Sequence, residues 1–341
     1  MPDTDPKHPE IHVLQMEQHG NAIALVFPDR TLGVIDWGIK RANVFSNFLD
    51  DQKIVGCRFV LATHSHADHT VGLPNVLQTL IAENMPPDNV VVPATGPMTL
   101  TRTDHIGWTK DFAERNKLNL WEAAIREITP YPPERPFPIA NSNDWEVDIL
   151  APSASKKVAH EVRAERKKIN PGNPTSMVLL FRFKNHTGVE GRAVFPGDAT
   201  LEVLRFADEH ASRYSEYGLD NDVIVAPHHG SKHNWPDFLF DRVKGSVIVS
   251  TGPKSPHHPS PDFLEPVSKH CSDGDGGSRL FCTSYNFQCR SKYGKDIAPK
   301  PLVQPGPCFG DIRIELRTNG SRVSGSDGRG EERRKYGYCG Q

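Results

Sequence analysis

Four side chains of metal-ligating type fall within six residues in His64-x-His66-x-Asp68-His69. Imidazole nitrogen and carboxylate oxygen are the donors that suit zinc, and a larger share of oxygen brings in manganese. His64 and His66, on alternate positions, are set to face one ion, while Asp68 and His69 reach a second. Three histidines with an aspartate among them fit a merely solvated loop poorly. Two ions sharing an oxygen would lower the pKa of bound water towards neutrality and stabilise charge growing on a phosphoryl oxygen. The chemistry expected is hydrolysis by metal-activated hydroxide attack.

Such side chains need a scaffold to aim them. The apolar run Arg58-Phe-Val-Leu-Ala62 predicts a strand delivering the histidines into the loop at its end, with Asp68-His69 opening a helix from about Thr70 to Asn84. Upstream, Ile11–Leu14 and Ala22–Phe27 read as a hairpin of strands, and Val34-Ile35-Asp36-Trp37-Gly38 closes another strand on Asp36. Downstream, Gly191–Phe195 runs into Gly197-Asp198, where glycine lets the backbone turn sharply. Val223–Ala226 leads into Pro227-His228-His229-Gly230-Ser231-Lys232, and a strand over Ser246–Ser250 precedes Gly252 and His258. This recurring order, strand first and polar motif second, predicts an α/β scaffold whose loops at one edge of the sheets form the site.

The ordered set Asp36-x-Gly38, His64-x-His66-x-Asp68-His69, Gly197-Asp198 and His229-Gly230 resembles the metallo-β-lactamase fold superfamily. More narrowly, Asn173-Pro-Thr-Ser176 before a hydrophobic strand, Pro227 to Lys232, and His258-Pro-Ser-Pro261 resemble the soluble domain of ComEC-type competence proteins. The likeness spans residues 11–317 and includes nothing of the transmembrane region of those proteins. It implies a four-layer αββα sandwich carrying one or two metals. It also implies hydrolysis, of nucleic-acid phosphodiesters in the ComEC-like branch and of lactams, lactones, thioesters or phosphocholine esters elsewhere in the superfamily.

On that resemblance His64 and His66 hold one ion, Asp68 and His69 the other, and Asp198 bridges both. His229 completes the second site, which leaves His228 as its neighbour, supporting a ligand or serving the leaving group; the reverse assignment of this pair stays open. Asp36 is expected to orient a ligand histidine through its ring N–H. The chain departs from the superfamily at Asn173-Pro174-Thr175-Ser176, where a further histidine is usual. Asn173 is a candidate weak ligand through its amide oxygen, or a holder of a bridging water or a substrate phosphate oxygen. With fewer nitrogens on the first ion, manganese competes with zinc, so the expected cofactor is a pair of Zn2+ or Mn2+ ions.

Ser176, Ser231 and Lys232 are candidates to contact phosphate through hydroxyl and ammonium hydrogen bonds, against a plain reading as turn residues. His258 is a candidate proton donor to the departing alkoxide, against a plain reading as a surface histidine. Residues 155–170, with Lys156, Lys157, Arg163, Arg166, Lys167 and Lys168, read as a helix that either guides a polyanion or is a solvated face of mixed charge.

The motifs run from Asp36 to His258 without a linker, which predicts one hydrolase domain over 11–317 and a disordered Gly-, Ser- and Arg-rich tail over 318–341. Cys271, Cys282, Cys289 and Cys308 cluster in an insertion over 271–308 and read either as free thiols or as a small zinc site. Residues 102–145 are expected to form helices and loops over the site. A net charge of -2 excludes a protein that coats nucleic acid by bulk charge. No stretch approaches the ~18 apolar residues of a membrane helix, so a cytoplasmic protein without membrane contact is expected. A nucleic acid or nucleotide is the expected partner. Three function classes follow: a metal-dependent phosphodiesterase or nuclease, a hydrolase of a small lactone, thioester or other non-phosphate ester, and a metal-binding interaction subunit.

Overall fold

The computed structural model describes residues 8–16, 20–93, 105–123, 137–151, 175–184, 190–214, 218–252, 255, 257–273, 279–283, 311–316 and 322–325. Two sheets carry the chain. The first runs β15-β14-β1-β2-β3-β4-β5-β6, with β1 Glu10–Val13, β2 Ala22–Val26, β3 Thr31–Trp37, β4 Gly56–Leu61, β5 Pro87–Pro93, β6 Leu120–Ala123, β14 Ile312–Glu315 and β15 Arg322–Gly325. The second runs β13-β12-β11-β10-β9-β8-β7, with β7 Phe137–Asn141, β8 Trp145–Ala151, β9 Val178–Lys184, β10 Glu190–Phe195, β11 Asn221–Val225, β12 Val243–Val249 and β13 Arg279–Cys282.

Both sheets change character midway. Strands β14, β1, β2 and β3 pair antiparallel, whereas β3 to β6 run parallel. In the second sheet β7 to β10 are antiparallel and β10 to β13 parallel. Parallel strands need crossovers, which helices supply. In the first sheet these are α1 Ala42–Gln52, the short α2 Ala67–Thr70, α3 Leu73–Ala82 and α4 His105–Arg115; in the second they are α5 Leu201–Tyr214, α6 Phe238–Arg242 and α7 Pro261–Asp273.

Burial assigns the layers. Phe59 and Leu61 of β4 and Val223 and Val225 of β11 point into a core between the sheets, where Trp145 stacks on Phe27 with ring centroids 3.9 Å apart. The alternate residues, Val60 and Ile224, face outward into two further cores. Helix α3 closes the outer core of the first sheet with Leu73, Val76, Leu77 and Leu80, the i, i+3, i+4, i+7 stripe of an amphipathic helix. Val203, Leu204 and Ala207 of α5 and Phe263, Leu264 and Val267 of α7 do the same for the second sheet. Strands buried on both faces read as nearly continuous apolar runs, as these do. The result is a four-layer αββα sandwich.

Three expectations are corrected here. The single helix from Thr70 is two, because the chain breaks at Val71-Gly72, where the Gly72 N–H bonds the Trp37 carbonyl at 2.8 Å. Residues 102–145 supply edge strands β6 and β7 as well as α4, and Trp145 begins β8 in the inter-sheet core. Within the tail, Arg322–Gly325 is an ordered edge strand, because its backbone pairs antiparallel with β14. Cys57 and Cys271 are buried free thiols, Cys282 is buried as well, and burial pushes Cys271 up to about 12. Cys289 and Cys308 lie outside the described residues, as do the basic stretch 155–170 and Asn173.

Candidate metal centre

The motif residues lie at or just past the carboxyl end of a strand in the parallel half of a sheet, where such sheets usually form their ligand sites. Asp36 lies at the end of β3 with φ 57, and His64 follows β4. Asp198 follows β10, and His228 and His229 follow β11. The two sheets meet face to face, so these four strand ends converge. Gly197 lets the second sheet approach the first: its φ is +54, and a Cβ there would stand 2.7 Å from Thr63 Oγ1. Ser176 Oγ accepts the Asp198 backbone N–H at 3.2 Å and holds the same turn.

Asp198 sits at the centre, 1% exposed. Its Oδ2 lies 3.5 Å from His64 Nε2 and 4.0 Å from His66 Nδ1; its Oδ1 lies 3.2 Å from His69 Nε2 and 3.5 Å from His229 Nε2. Two triads of donor atoms result, His64–His66–Asp198 and Asp68–His69–His229, each within 4.8 Å. The His-x-His pair and the Asp-His pair thus fall in separate triads.

Both triads fit a divalent cation. His69 Nε2 and His229 Nε2 are 3.2 Å apart, and His229 Nε2 and Asp68 Oδ2 are 3.4 Å apart. Two ligands about 2.0–2.1 Å from one tetrahedral ion would be separated by roughly 3.3 Å. His64 Nε2 and Asp198 Oδ1 are buried side-chain atoms without an aligned hydrogen-bond partner among the described residues, as atoms reserved for an ion would be.

Electrostatics describe the same convergence. Burial opposes charge on His69, yet the carboxylates of Asp198, Asp36 and Asp68 raise it well above the usual histidine range. Burial would raise Asp198, but His69, His229 and His64 hold it well below the usual carboxylate range. Asp68 is lowered too, His69 and His229 outweighing its burial. Burial and then His64 push His66 down to about 4.

Asp36 is fully buried and bonds three donors: Thr63 N–H at 2.6 Å, Thr63 Oγ1–H at 2.8 Å and His69 Nδ1 at 2.7 Å. With its proton given to Asp36, Thr63 Oγ1 accepts from His64 Nδ1 at 3.1 Å. Both histidines therefore carry their Nδ1 proton outward and aim Nε2 at Asp198. Thr63 escapes a reading of the sequence, although it directly precedes His64. So does Asn234, whose Oδ1 accepts from His228 Nδ1 at 3.1 Å while its Nδ2 donates to the Ala199 carbonyl at 2.8 Å.

The other predicted residues divide. His258 comes to the site, its ring centroid 5.0 Å from that of His228 and 6.1 Å from that of His229. Ser176 is fully buried and Ser231 nearly so, and the Ser231 Oγ accepts the His233 N–H at 3.4 Å. Lys232 is exposed and pairs with Asp262 at 3.2 Å. His66, Asp68 and His228, about a quarter exposed each, form the open side of the centre.

No family model matches the sequence, and no curated relative does. Among solved structures the chain is similar to a diphosphatase from the PhnP family, at 9% identity over 91% of this chain and 98% of that one, TM-score 0.40. It is similar to the metallo-β-lactamase fold protein YhfI from Bacillus subtilis, at 11% identity over 80% and 96%, TM-score 0.39. It is also similar to a long-form RNase Z from yeast, at 13% identity over 81% of this chain and 40% of that one, TM-score 0.43. No helix of the described residues is long and apolar enough to cross a membrane.

Proposed function

We propose that this protein is a dinuclear, metal-dependent hydrolase of phosphodiesters, with a nucleic acid or nucleotide as substrate and a cytoplasmic setting, built as one domain over 11–317. The observation that carries the reading is Asp198, whose two carboxylate oxygens each face a separate pair of histidines. His64, His66 and Asp198 would hold one ion and Asp68, His69 and His229 the other, with Asp198 placed between the two groups. Zinc or manganese held there supplies a nucleophile from water at neutral pH and offsets negative charge on a phosphoryl oxygen.

The chain's own residues do the rest. Asp36 and Thr63 fix the ring orientation of His69 and His64. Thr251 Oγ1 donates to the His258 carbonyl at 3.0 Å, which sets the His258 loop beside His228 so that its ring can give a proton to the departing alkoxide. Lys232, on the surface just past the turn, meets a phosphate of the substrate. The ComEC-like motifs favour a nucleic acid, and Asn173 is a further candidate for a phosphate oxygen.

The second reading, a small lactone, thioester or other non-phosphate ester, draws on a cavity of about 710 Å3 beside Asp68, with Leu14, Met16, Ile39 and Val71 in its wall and Lys40 and His105 among its polar residues. Its size suits a small ligand or one nucleotide. Cleavage of labelled DNA, RNA, a simple phosphodiester, a lactone and a thioester by metal-stripped protein refilled with zinc or manganese tests both. Phosphodiester cleavage that is lost in a folded Asp198→Ala variant is expected; activity confined to the lactone or thioester would overturn the phosphodiesterase assignment.

A further inference from the structure

We infer that His228 supplies the third nitrogen of the His64–His66 half of the centre, taking the place of the histidine that Asn173-Pro174-Thr175-Ser176 omits. The inference rests on the metal reading above and assigns the two histidines of the Pro227–Gly230 turn to different ions.

Three observations point the same way. First, His228 Nε2 is 3.6 Å from Asp198 Oδ2, the oxygen that His64 Nε2 faces at 3.5 Å, whereas His229 Nε2 is 3.5 Å from Oδ1. Adjacent histidines thus face different oxygens of one carboxylate. Second, the Nδ1–H of His228 is taken by Asn234 Oδ1, and Asn234 is itself fixed by its Nδ2–H on the Ala199 carbonyl, one residue past Asp198. His64 and His69 show the same arrangement on Thr63 and Asp36. An outer acceptor on one ring nitrogen is what sets the other as a ligand. Third, the backbone is left-handed at His228 (φ 48, ψ 48) and again at His229 (φ 54, ψ 27). Two consecutive non-glycine residues in that region are costly and persist where surrounding structure holds them. Here the turn sets neighbouring imidazoles against different oxygens of the Asp198 carboxylate. His228 is the more open of the two, its side chain 27% exposed against 1% for His229, so the half-site it closes is the one nearer to solvent.

The test reads metal binding, not turnover. The wild-type chain, His228→Ala, His229→Ala and Asn234→Ala are titrated with zinc against a chromophoric chelator, with thermal melting as the fold check. Two ions on the wild type are expected. In His228→Ala one ion should weaken by more than about a hundredfold while the other keeps its affinity, and Asn234→Ala should weaken that same ion about tenfold to a hundredfold. His229→Ala should weaken the other. A wild type that holds no divalent ion overturns the metal reading and the inference together; two ions held at wild-type affinity by His228→Ala overturn the inference alone. Should the substitution unfold the chain, 15N NMR of the histidine side chains decides on the wild type. The His228 Nε2 resonance is expected to shift with zinc as that of His64 does, and an unmoved resonance sinks the assignment.

Discussion

Asp36 Oδ2 stands 2.7 Å from His69 Nδ1, and both side chains are fully buried. This contact ties the first strand of the parallel half of one sheet to the loop after the next strand, because the same carboxylate also bonds the Thr63 backbone and hydroxyl. One aspartate thereby positions two histidines, His69 directly and His64 through Thr63. Replacing Asp36 by Asn keeps the volume and removes the charge, and is expected to weaken metal binding about tenfold to a hundredfold. Asp36→Ala in addition leaves the buried Thr63 N–H without its acceptor, at a cost of about 1–3 kcal/mol. Chelator competition measures the first effect and denaturant unfolding the second.

Gly38 shows how closely the fold packs behind the ligands. A Cβ at that position would stand 2.0 Å from the Asp68 carbonyl oxygen and 2.8 Å from its carbon, both backbone atoms. That carbonyl also accepts the Asn21 N–H at 3.2 Å, so the segment has no room to retreat without breaking its dock on the first sheet. Gly38→Ala is expected to destabilise the fold by about 1–3 kcal/mol, as overpacking does, and to weaken the ion held by Asp68 more than the one held by His64. Equal affinities in this variant would mean that the Asp68 loop moves independently of the sheet beneath it.

The legible and illegible regions of this chain differ in range. Motifs that are contiguous in sequence announce themselves: the His-x-His-x-Asp-His loop, the Gly-Asp turn and the double histidine each follow a strand whose nearly continuous apolar run makes it readable. What joins them is not local. Thr63 and Asn234 are common residue types whose roles arise only when two sheets meet, and nothing in their neighbours in sequence marks them. Ser176 is another case: a serine beside an expected ligand suggests a substrate contact, and only the fold sets its Oγ under the Asp198 N–H. The strand at Arg322–Gly325 is hidden by the Gly-, Ser- and Arg-rich composition of the sequence around it.

Acid should loosen the seam between β1 and β14. Glu10 is buried, meets His12 Nε2 at 3.0 Å and accepts from Arg313 of β14. Burial would raise Glu10, but His12 and Arg313 bring it below its ordinary 4.5; burial dominates at His12 and takes it below 6.5 despite Glu10. Both groups thus favour the folded state in their deprotonated forms. Their contribution is complete above about pH 6.5 and is lost as pH falls, first through His12 and then through Glu10. Denaturant unfolding from pH 7 to pH 4 is expected to show a shallower loss of stability in His12→Gln than in the wild type. An identical slope would place the pH response elsewhere.

Ser176 and Lys232 separate two kinds of effect on turnover. Ser176→Ala removes the acceptor of the buried Asp198 N–H, so it should cost about 1–3 kcal/mol of stability and lower kcat through a displaced Asp198 while KM changes little. Lys232 is different in kind: its ammonium is half exposed and its partner Asp262 more so. A surface pair of this sort contributes about 0–1 kcal/mol, so Lys232→Ala should fold as the wild type does. If the lysine meets a substrate phosphate, the variant raises KM for a phosphodiester, leaves KM for a neutral ester unchanged, and loses some of the salt dependence of the wild type. Steady-state kinetics on both substrates at low and high salt check this, and equal KM values on the phosphodiester would return Lys232 to a plain turn residue.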